Sequence, residues 1–374
     1  MKKQIRNLTI VTLIILLGSF ILLRGEGIFL KNGTEMLFSP GMTYVLGSKE
    51  NHTKDFFLLE MLIPFYQYAN EHAPITAEVE DVLTYEMILS EQANDEYSMS
   101  EDLQPETSTP AETASKDTVK TSISLEKLKD FNYLLSKFYT VDSTTSIGPE
   151  QLNVDDLMSR DMHIDNKKDG PKILIFHTHS QEAFRDSVAG DSNTTIVGMG
   201  KYLAKKLNKK GIETMHHDGV YDLINGKLDR SKAYQMAETG VKEILNQYPS
   251  IEVVIDLHRD GVPEKTHLVT TIDGKKTAKI MFFNGLSRTK KNGDIAYLKN
   301  PYIQDNLSFS FQMQLASESM YPGLARRIYL KGYRYSLHMM PKSLLIEAGA
   351  QTNTVEELKN AMDLLANILV EVVL

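Results

Sequence analysis

The sequence predicts an α/β fold for residues 170–374, with a mostly parallel central sheet flanked by helices. Short aliphatic runs alternate with longer amphipathic segments along this part of the chain. Such alternation is typical of parallel sheets whose strands are joined by helices. The run Ile173–Phe176 is apolar at every position, which is typical of a strand buried on both faces.

The other predicted elements follow this first strand in chain order. Further strands are expected at 212–217, 251–258 and 343–349, and helices at 195–209, 229–247, 301–320 and from about residue 354 onward. Gly211 is expected to end the first of these helices, because glycine readily takes the left-handed conformation found at helix ends. Within 266–285 the pair Asp273-Gly274 predicts a hairpin turn.

The amino terminus has the pattern of a membrane anchor. Lys2, Lys3 and Arg6 precede an uncharged run over 8–23, which as a helix would rise about 24 Å, slightly less than the hydrocarbon core of a bilayer. Because positive residues precede the run, the amino terminus is expected to stay in the cytoplasm. We therefore predict a cytoplasmic tip and an uncleaved signal anchor within 1–30, favoured over a cleaved signal peptide, with the rest of the chain on the outer side of the cell membrane.

Three further regions lie between this anchor and the predicted α/β domain. Residues 31–89 are expected to be a partly helical juxtamembrane region. Residues 90–123 are acidic, rich in Ser, Thr and Pro, and nearly free of large aliphatic side chains, so we predict a disordered linker. Residues 124–169 form a predicted helical lead-in that packs on the domain, because leucine and phenylalanine recur at helical spacing over 124–142.

The charge of the chain is unevenly distributed. The net charge is −8, yet residues 55–115 contain fourteen acidic residues and no Lys or Arg, which leaves +6 for the remainder. We interpret that mild excess as ordinary solvated surface and expect no nucleic-acid partner. The chain has no cysteine, so disulfides and thiolate metal sites are excluded, and any metal must be bound by His, Asp or Glu.

Metal-ligand side chains follow three of the predicted strands. His177, His179 and Glu182 come after the first strand, His258 ends the third, and Glu347 lies near the end of the fourth. Because side chains two residues apart in an extended chain point the same way, His177 and His179 are expected to share one face. Because the carboxyl ends of parallel strands meet at one edge of a sheet, these side chains are expected to converge. Two histidines and two glutamates suffice for a catalytic zinc site, in which three ligands leave a position for water and the fourth residue handles protons.

Several segments of the chain resemble one known family. These segments are "KILIFHTHSQEAF", "FNYLLSKFYTVDSTTSI", "VIDLHRDG" and "YPGLARRIYLKGYRYSLHMMPKSLLIEAGAQTNTVEE". Together with the anchored amino terminus, they resemble the stage II sporulation protein P family of zinc-dependent cell-wall amidases. The resemblance implies an amidase-like fold for 170–374 and hydrolysis of the muramoyl–L-alanine amide of peptidoglycan during sporulation engulfment, with associated endopeptidase cleavage. It also implies stage II sporulation proteins D and M as partners.

The resemblance assigns roles residue by residue. It implies that His179, Glu182 and His258 bind Zn²⁺ and that Glu347 is the catalytic acid–base. His177 is expected to orient the site or hold the oxyanion, although either His177 or His179 could be the ligand after the first strand. The spacing His-x-x-Glu also resembles zinc carboxypeptidases, so a carboxypeptidase-like peptide hydrolase is one alternative. A non-enzymatic, membrane-anchored scaffold that binds the cell wall is the other.

Overall fold

The computed structural model describes residues 125–291 and 293–374 of the 374-residue chain. The predicted anchor (1–30), juxtamembrane region (31–89) and linker (90–123) lie outside the described residues. Among the helices that the structure does describe, none combines the length and the apolar character needed to cross a membrane.

The strands of the described chain fall into one central sheet and three hairpins. The central sheet contains β1 (Tyr139–Val141), β2 (Ile173–Phe176), β3 (Thr214–His216), β6 (Val253–Asp260), β9 (Ile280–Gly285), β12 (Ile328–Lys331) and β13 (Lys342–Ala350). The hairpins are β4 (Leu223–Ile224) with β5 (Lys227–Leu228), β7 (Val269–Ile272) with β8 (Lys275–Ala278), and β10 (Arg288–Thr289) with β11 (Gly293–Asp294).

The helices of the described chain cover both faces of this sheet. They are α1 (Leu125–Leu128), α2 (Phe131–Phe138), α3 (Val154–Ser159), α4 (Ile196–Lys209), α5 (Ala233–Gln247), α6 (Ile303–Met320) and α7 (Val355–Val373). Short 3₁₀ turns lie at Ser192–Thr194, Ala296–Leu298 and Leu337–Met339.

The order of strands in the central sheet is β1-β12-β9-β13-β6-β2-β3. Within the described residues, five of the six pairings in this sheet are parallel, and β9 with β13 is antiparallel. The predicted α/β class with a mostly parallel sheet is therefore confirmed. Because β2, β6 and β13 are parallel neighbours, their carboxyl ends lie side by side at one edge, as the sequence predicts.

Alternate residues of the inner strands pack into hydrophobic cores on opposite faces of the sheet. Ile173 and Ile175 of β2 pack in the large core that includes side chains of α4, α6 and α7. Leu174 and Phe176 face the other way and pack against α5. On this second face, the segment 333–339 joins α5, because Tyr335 and Leu337 pack on side chains of β9 and β13. The sheet is therefore buried between two layers, which explains the apolar run at 173–176.

Three local features differ from the sequence prediction. The helical pattern over 124–142 is interrupted: Asp130 caps a new helix, α2, by accepting from the amide of Tyr133 at 2.8 Å, and the chain then enters β1. Helix α5 begins at Ala233 instead of 229 because Asp229 first forms a turn with Ser231. The hairpin at Asp273-Gly274 is present as β7–β8, with φ of 51° and 77°, but β9 leaves it to join the central sheet.

Candidate metal centre

The chain turns sharply where β2 ends, and Asp256 of β6 holds this turn. The backbone amide of Thr178 donates to Asp256 Oδ1 at 2.9 Å, and its hydroxyl donates to Asp256 Oδ2 at 2.6 Å. Both residues are buried. The turn ends the regular strand at Phe176, so the alternation of side chains expected for an extended chain stops there.

His177 and His179 consequently point to different sides of the sheet, and the expectation that they share one face is wrong. His177 Nδ1 donates to the carbonyl of Leu257 at 2.7 Å, and its Nε2 lies 3.0 Å from His216 Nε2. A methyl group added at Gly200 of α4 would lie 2.5 Å from His177 Nε2, which places this ring on the α4 face. Burial and the adjacent His216 lower the pKa of His177 to about 3, so it is neutral at physiological pH.

On the α5 face, the structure brings His179, Glu182 and His258 together. One potential ligand atom from each residue lies within 4.8 Å of the other two. Glu182 Oε1 lies 3.7 Å from His179 Nδ1, and Glu182 Oε2 lies 3.9 Å from His258 Nδ1. The two imidazoles meet nearly edge to face, with ring centroids 5.0 Å apart. Of the two histidines that the sequence leaves open, His179 is the one in this cluster.

The carboxylate of Glu182 lies beside two groups on the neighbouring segments. Its Oε2 accepts from the amide of Arg259 at 2.9 Å, and its Oε1 lies 3.5 Å from Arg230 Nη2. Burial raises the pKa of Glu182, but its bond with His179 and the charges of His258 and Arg259 outweigh this effect and hold the pKa below its ordinary value. Glu182 therefore supplies a negative charge to the cluster.

Asp256 is a member of the site that the sequence prediction missed. Its Oδ1 accepts from His258 Nε2 at 2.7 Å, which leaves His258 Nδ1 facing Glu182. A carboxylate on the far nitrogen is the usual way to orient a metal-binding histidine. The missed signal was a buried carboxylate two residues before His258, on the same face of an otherwise apolar strand.

Glu347 lies beside the cluster on the next strand. In the register of β13 with β6 it is directly opposite His258, so both side chains project from the same face of the sheet. The side chain is buried, with 4% of its surface exposed. The structure thus places Glu347 next to a proposed ligand, as the convergence of strand ends predicts, while its catalytic role stays a prediction.

The residues of this cluster fit a zinc ion. Two imidazole nitrogens and one carboxylate oxygen are a donor set typical of catalytic zinc sites. All three residues are at least 97% buried, and a cation bound between them would act together with Arg230 to neutralise the buried glutamate. We therefore assign His179, Glu182 and His258 as the residues that would hold the metal.

Replacing Asp256 by asparagine is expected to weaken zinc binding about 10- to 100-fold, because the bond that orients His258 loses its charge. Competition with a chromogenic chelator measures the change in affinity. Asp294→Asn is the matched control, since Asp294 is 82% exposed and lies on the β10–β11 hairpin. Equal affinities for Asp256→Asn and wild type would contradict the orienting role.

Fold and site together define a class: an α/β protein with a buried His–Glu–His centre at the carboxyl edge of parallel strands. The family model described as Stage II sporulation protein P matches residues 55–370, so the chain belongs to this family. The resemblance drawn from the sequence motifs is thereby confirmed. The chain is 25% identical to Stage II sporulation protein P of Bacillus subtilis (strain 168) in a match of 245 residues, and the match covers 59% of this chain and 58% of that relative. The match thus spans less than two thirds of the relative's length.

Two solved structures are among those to which the chain is similar. An N-acetylmuramoyl-L-alanine amidase from Clostridium difficile 630 is 17% identical, with a TM-score of 0.35, over 55% of this chain and 95% of that chain. The CwlD amidase from Clostridioides difficile, solved in complex with the GerS lipoprotein, is 16% identical, with a TM-score of 0.34, over 54% of this chain and 96% of that chain. Family membership comes from the sequence match and not from these similarities.

Proposed function

We propose that the protein is a zinc-dependent peptidoglycan hydrolase of sporulation that cleaves the amide between the muramoyl lactyl group and the first alanine of the stem peptide. The observation that carries the proposal is the buried cluster of His179, Glu182 and His258 with Glu347 opposite His258 on the adjacent strand. Membership in the stage II sporulation protein P family supports the cell-wall substrate. Cleavage of cross-linked stems by the same site is part of the proposal.

Each group has a defined task in this reaction. Bound zinc would polarise the scissile carbonyl and lower the pKa of a water molecule towards about 7. Glu347 takes a proton from the attacking water as its oxygen adds to the carbonyl carbon. When the carbon–nitrogen bond breaks, Glu347 returns this proton to the leaving nitrogen, so the products are a lactyl carboxylate and a free stem peptide. Asp256 keeps His258 in the orientation that presents Nδ1 to the cluster.

The location and partners belong to the same proposal. The uncharged run at 8–23 supports a single-pass anchor, with the hydrolase on the outer side of the cell membrane. Family membership supports stage II sporulation proteins D and M as partners during engulfment.

A second candidate is a carboxypeptidase-like peptide hydrolase. The spacing that favours it is His179-x-x-Glu182, in which both residues come from one short segment after β2. Such an enzyme would shorten stem peptides from their free ends. Its active site would consist of the same four residues, His179, Glu182, His258 and Glu347.

Digestion of purified, cross-linked peptidoglycan by the full chain tests these alternatives, with product masses read before and after chelation. We expect free stem peptides, and we expect their release to stop when a chelator removes zinc and to return when zinc is restored. Stems that lack only a terminal residue would instead support the carboxypeptidase, and split cross-links would show endopeptidase cleavage. Release that a chelator leaves unchanged would contradict zinc-dependent hydrolysis.

A further inference from the structure

We propose that Arg230 is a catalytic residue that binds the oxyanion formed at the scissile carbonyl. This inference rests on the proposed function and deepens it, because it assigns to Arg230 the task that the sequence suggested for His177. His177 lies on the α4 face of the sheet, where its two ring nitrogens contact Leu257 and His216. Arg230 lies on the α5 face, with its Nη2 3.5 Å from Glu182 Oε1.

Arg230 borders both the metal cluster and an open cavity. The cavity has a volume of about 680 Å³ and is lined by the β4–β5 hairpin and the residues that follow it, among them Lys227, Leu228 and Arg230. The side chain of Arg230 is 10% exposed. Arg230 thus adjoins the cavity and also lies beside Glu182. A guanidinium in this position can donate to a substrate oxygen that comes within its reach.

The backbone that carries Arg230 is anchored to the segment that carries the ligands. Asp222 is fully buried and accepts from the hydroxyl of Ser180 at 2.6 Å and from the amide of Gln181 at 3.0 Å. The carbonyl of Asp222 accepts from the amide of Asp229 at 2.9 Å. Arg230 directly follows Asp229, and Asp222 thus links this part of the chain to the loop between His179 and Glu182. These bonds fix the backbone of Arg230 before substrate binds.

The other arginine near Glu182, Arg259, contacts different groups. Arg259 Nε donates to the carbonyl of Ala183 at 3.1 Å, and its Nη1 donates to the carbonyl of Asp260 at 3.2 Å. Its contact with Glu182 is through the backbone amide. Of these two arginines, Arg230 is the one whose guanidinium approaches the side of Glu182 that faces His179.

If Arg230 is removed, a catalytic role and a role in positioning Glu182 predict opposite changes in the affinity for zinc. A guanidinium beside a metal ligand repels a bound cation, so its removal leaves zinc binding as tight as before or tighter. If Arg230 instead served to position Glu182, its removal would loosen the metal. Zinc affinity thus separates the two roles independently of turnover.

The test compares Arg230→Ala and Arg230→Lys with wild type in the full chain, with Lys232→Ala as the matched control because Lys232 is an exposed cation two residues away. We expect Arg230→Ala to lower kcat on muropeptides about 10²- to 10³-fold with KM within a few-fold, since oxyanion donors act mainly in the transition state. Arg230→Lys is expected to recover part of this loss. Chelator competition is expected to show zinc bound at least as tightly as in wild type.

Binding of a phosphinate analogue of the muramoyl–alanine amide provides a second readout. Its tetrahedral anion mimics the oxyanion, so its affinity for the zinc-loaded protein is expected to fall in Arg230→Ala by a factor similar to that for kcat. Unchanged kcat, unchanged analogue affinity or weakened zinc binding in Arg230→Ala would each overturn the role of Arg230. A wild-type protein that releases no stem peptide would overturn the proposed hydrolysis instead, and analogue binding would still decide whether Arg230 binds an anion beside the metal.

Discussion

Replacing His258 by alanine is expected to remove both bound zinc and hydrolysis, because it deletes one of three ligands from a buried site. His179→Ala is expected to behave in the same way, since His179 and His258 lie on either side of Glu182. His177→Ala is expected to retain zinc, because its ring packs on the other face of the sheet. Metal content by atomic emission and release of stem peptides, measured on the same samples, give both quantities.

His163→Ala is the matched control for these three variants. The side chain of His163 is 63% exposed and contacts Asp161, so its removal should change neither zinc content nor activity. Full zinc content in His258→Ala would show that the ligand assignment is wrong. Loss of zinc from His177→Ala in a protein that is still folded would show that His177 is a zinc ligand.

Glu347→Gln is expected to keep zinc nearly stoichiometric while turnover falls by a factor of about 10² to 10⁴, the usual contribution of general acid–base catalysis. The amide has the shape of the carboxylate but cannot accept a proton from water. Glu356→Gln, an exposed substitution at the start of α7, controls for the change in charge. If Glu347→Gln lost its zinc, Glu347 would be a ligand and not the base.

The sequence was informative about the site because strand ends are easy to recognise. His258 and Glu347 each follow a mostly apolar run that is typical of a buried strand, and parallel pairing then brings them into register. Arg230 could not be predicted in this way. Its position depends on the turn held by Asp222, a contact between segments more than forty residues apart that leaves no local pattern in the sequence.

The sequence also did not predict that His177 and His179 lie on different faces of the sheet. An ideal strand would have placed His177 and His179 on the same side, but the turn that Asp256 holds at Thr178 reverses this relationship.

The direction of β9 in the sheet could not be predicted from the sequence either. Its apolar run is equally compatible with parallel and antiparallel pairing, and the neighbouring hairpin gives no indication that β9 leaves it to pair with β13.

The two outermost strands of the sheet, β1 and β3, are each three residues long. Short edge strands offer few unpaired backbone groups to another chain, so they limit aggregation between molecules. At one end this protection depends on the lead-in, because β1 pairs with β12 from the far end of the chain. A fragment that began at residue 170 would leave β12, apolar except for Lys331, as a new edge with its backbone N–H and C=O groups open. The lead-in thus serves as a cover against self-association as well as a connection to the amino-terminal region.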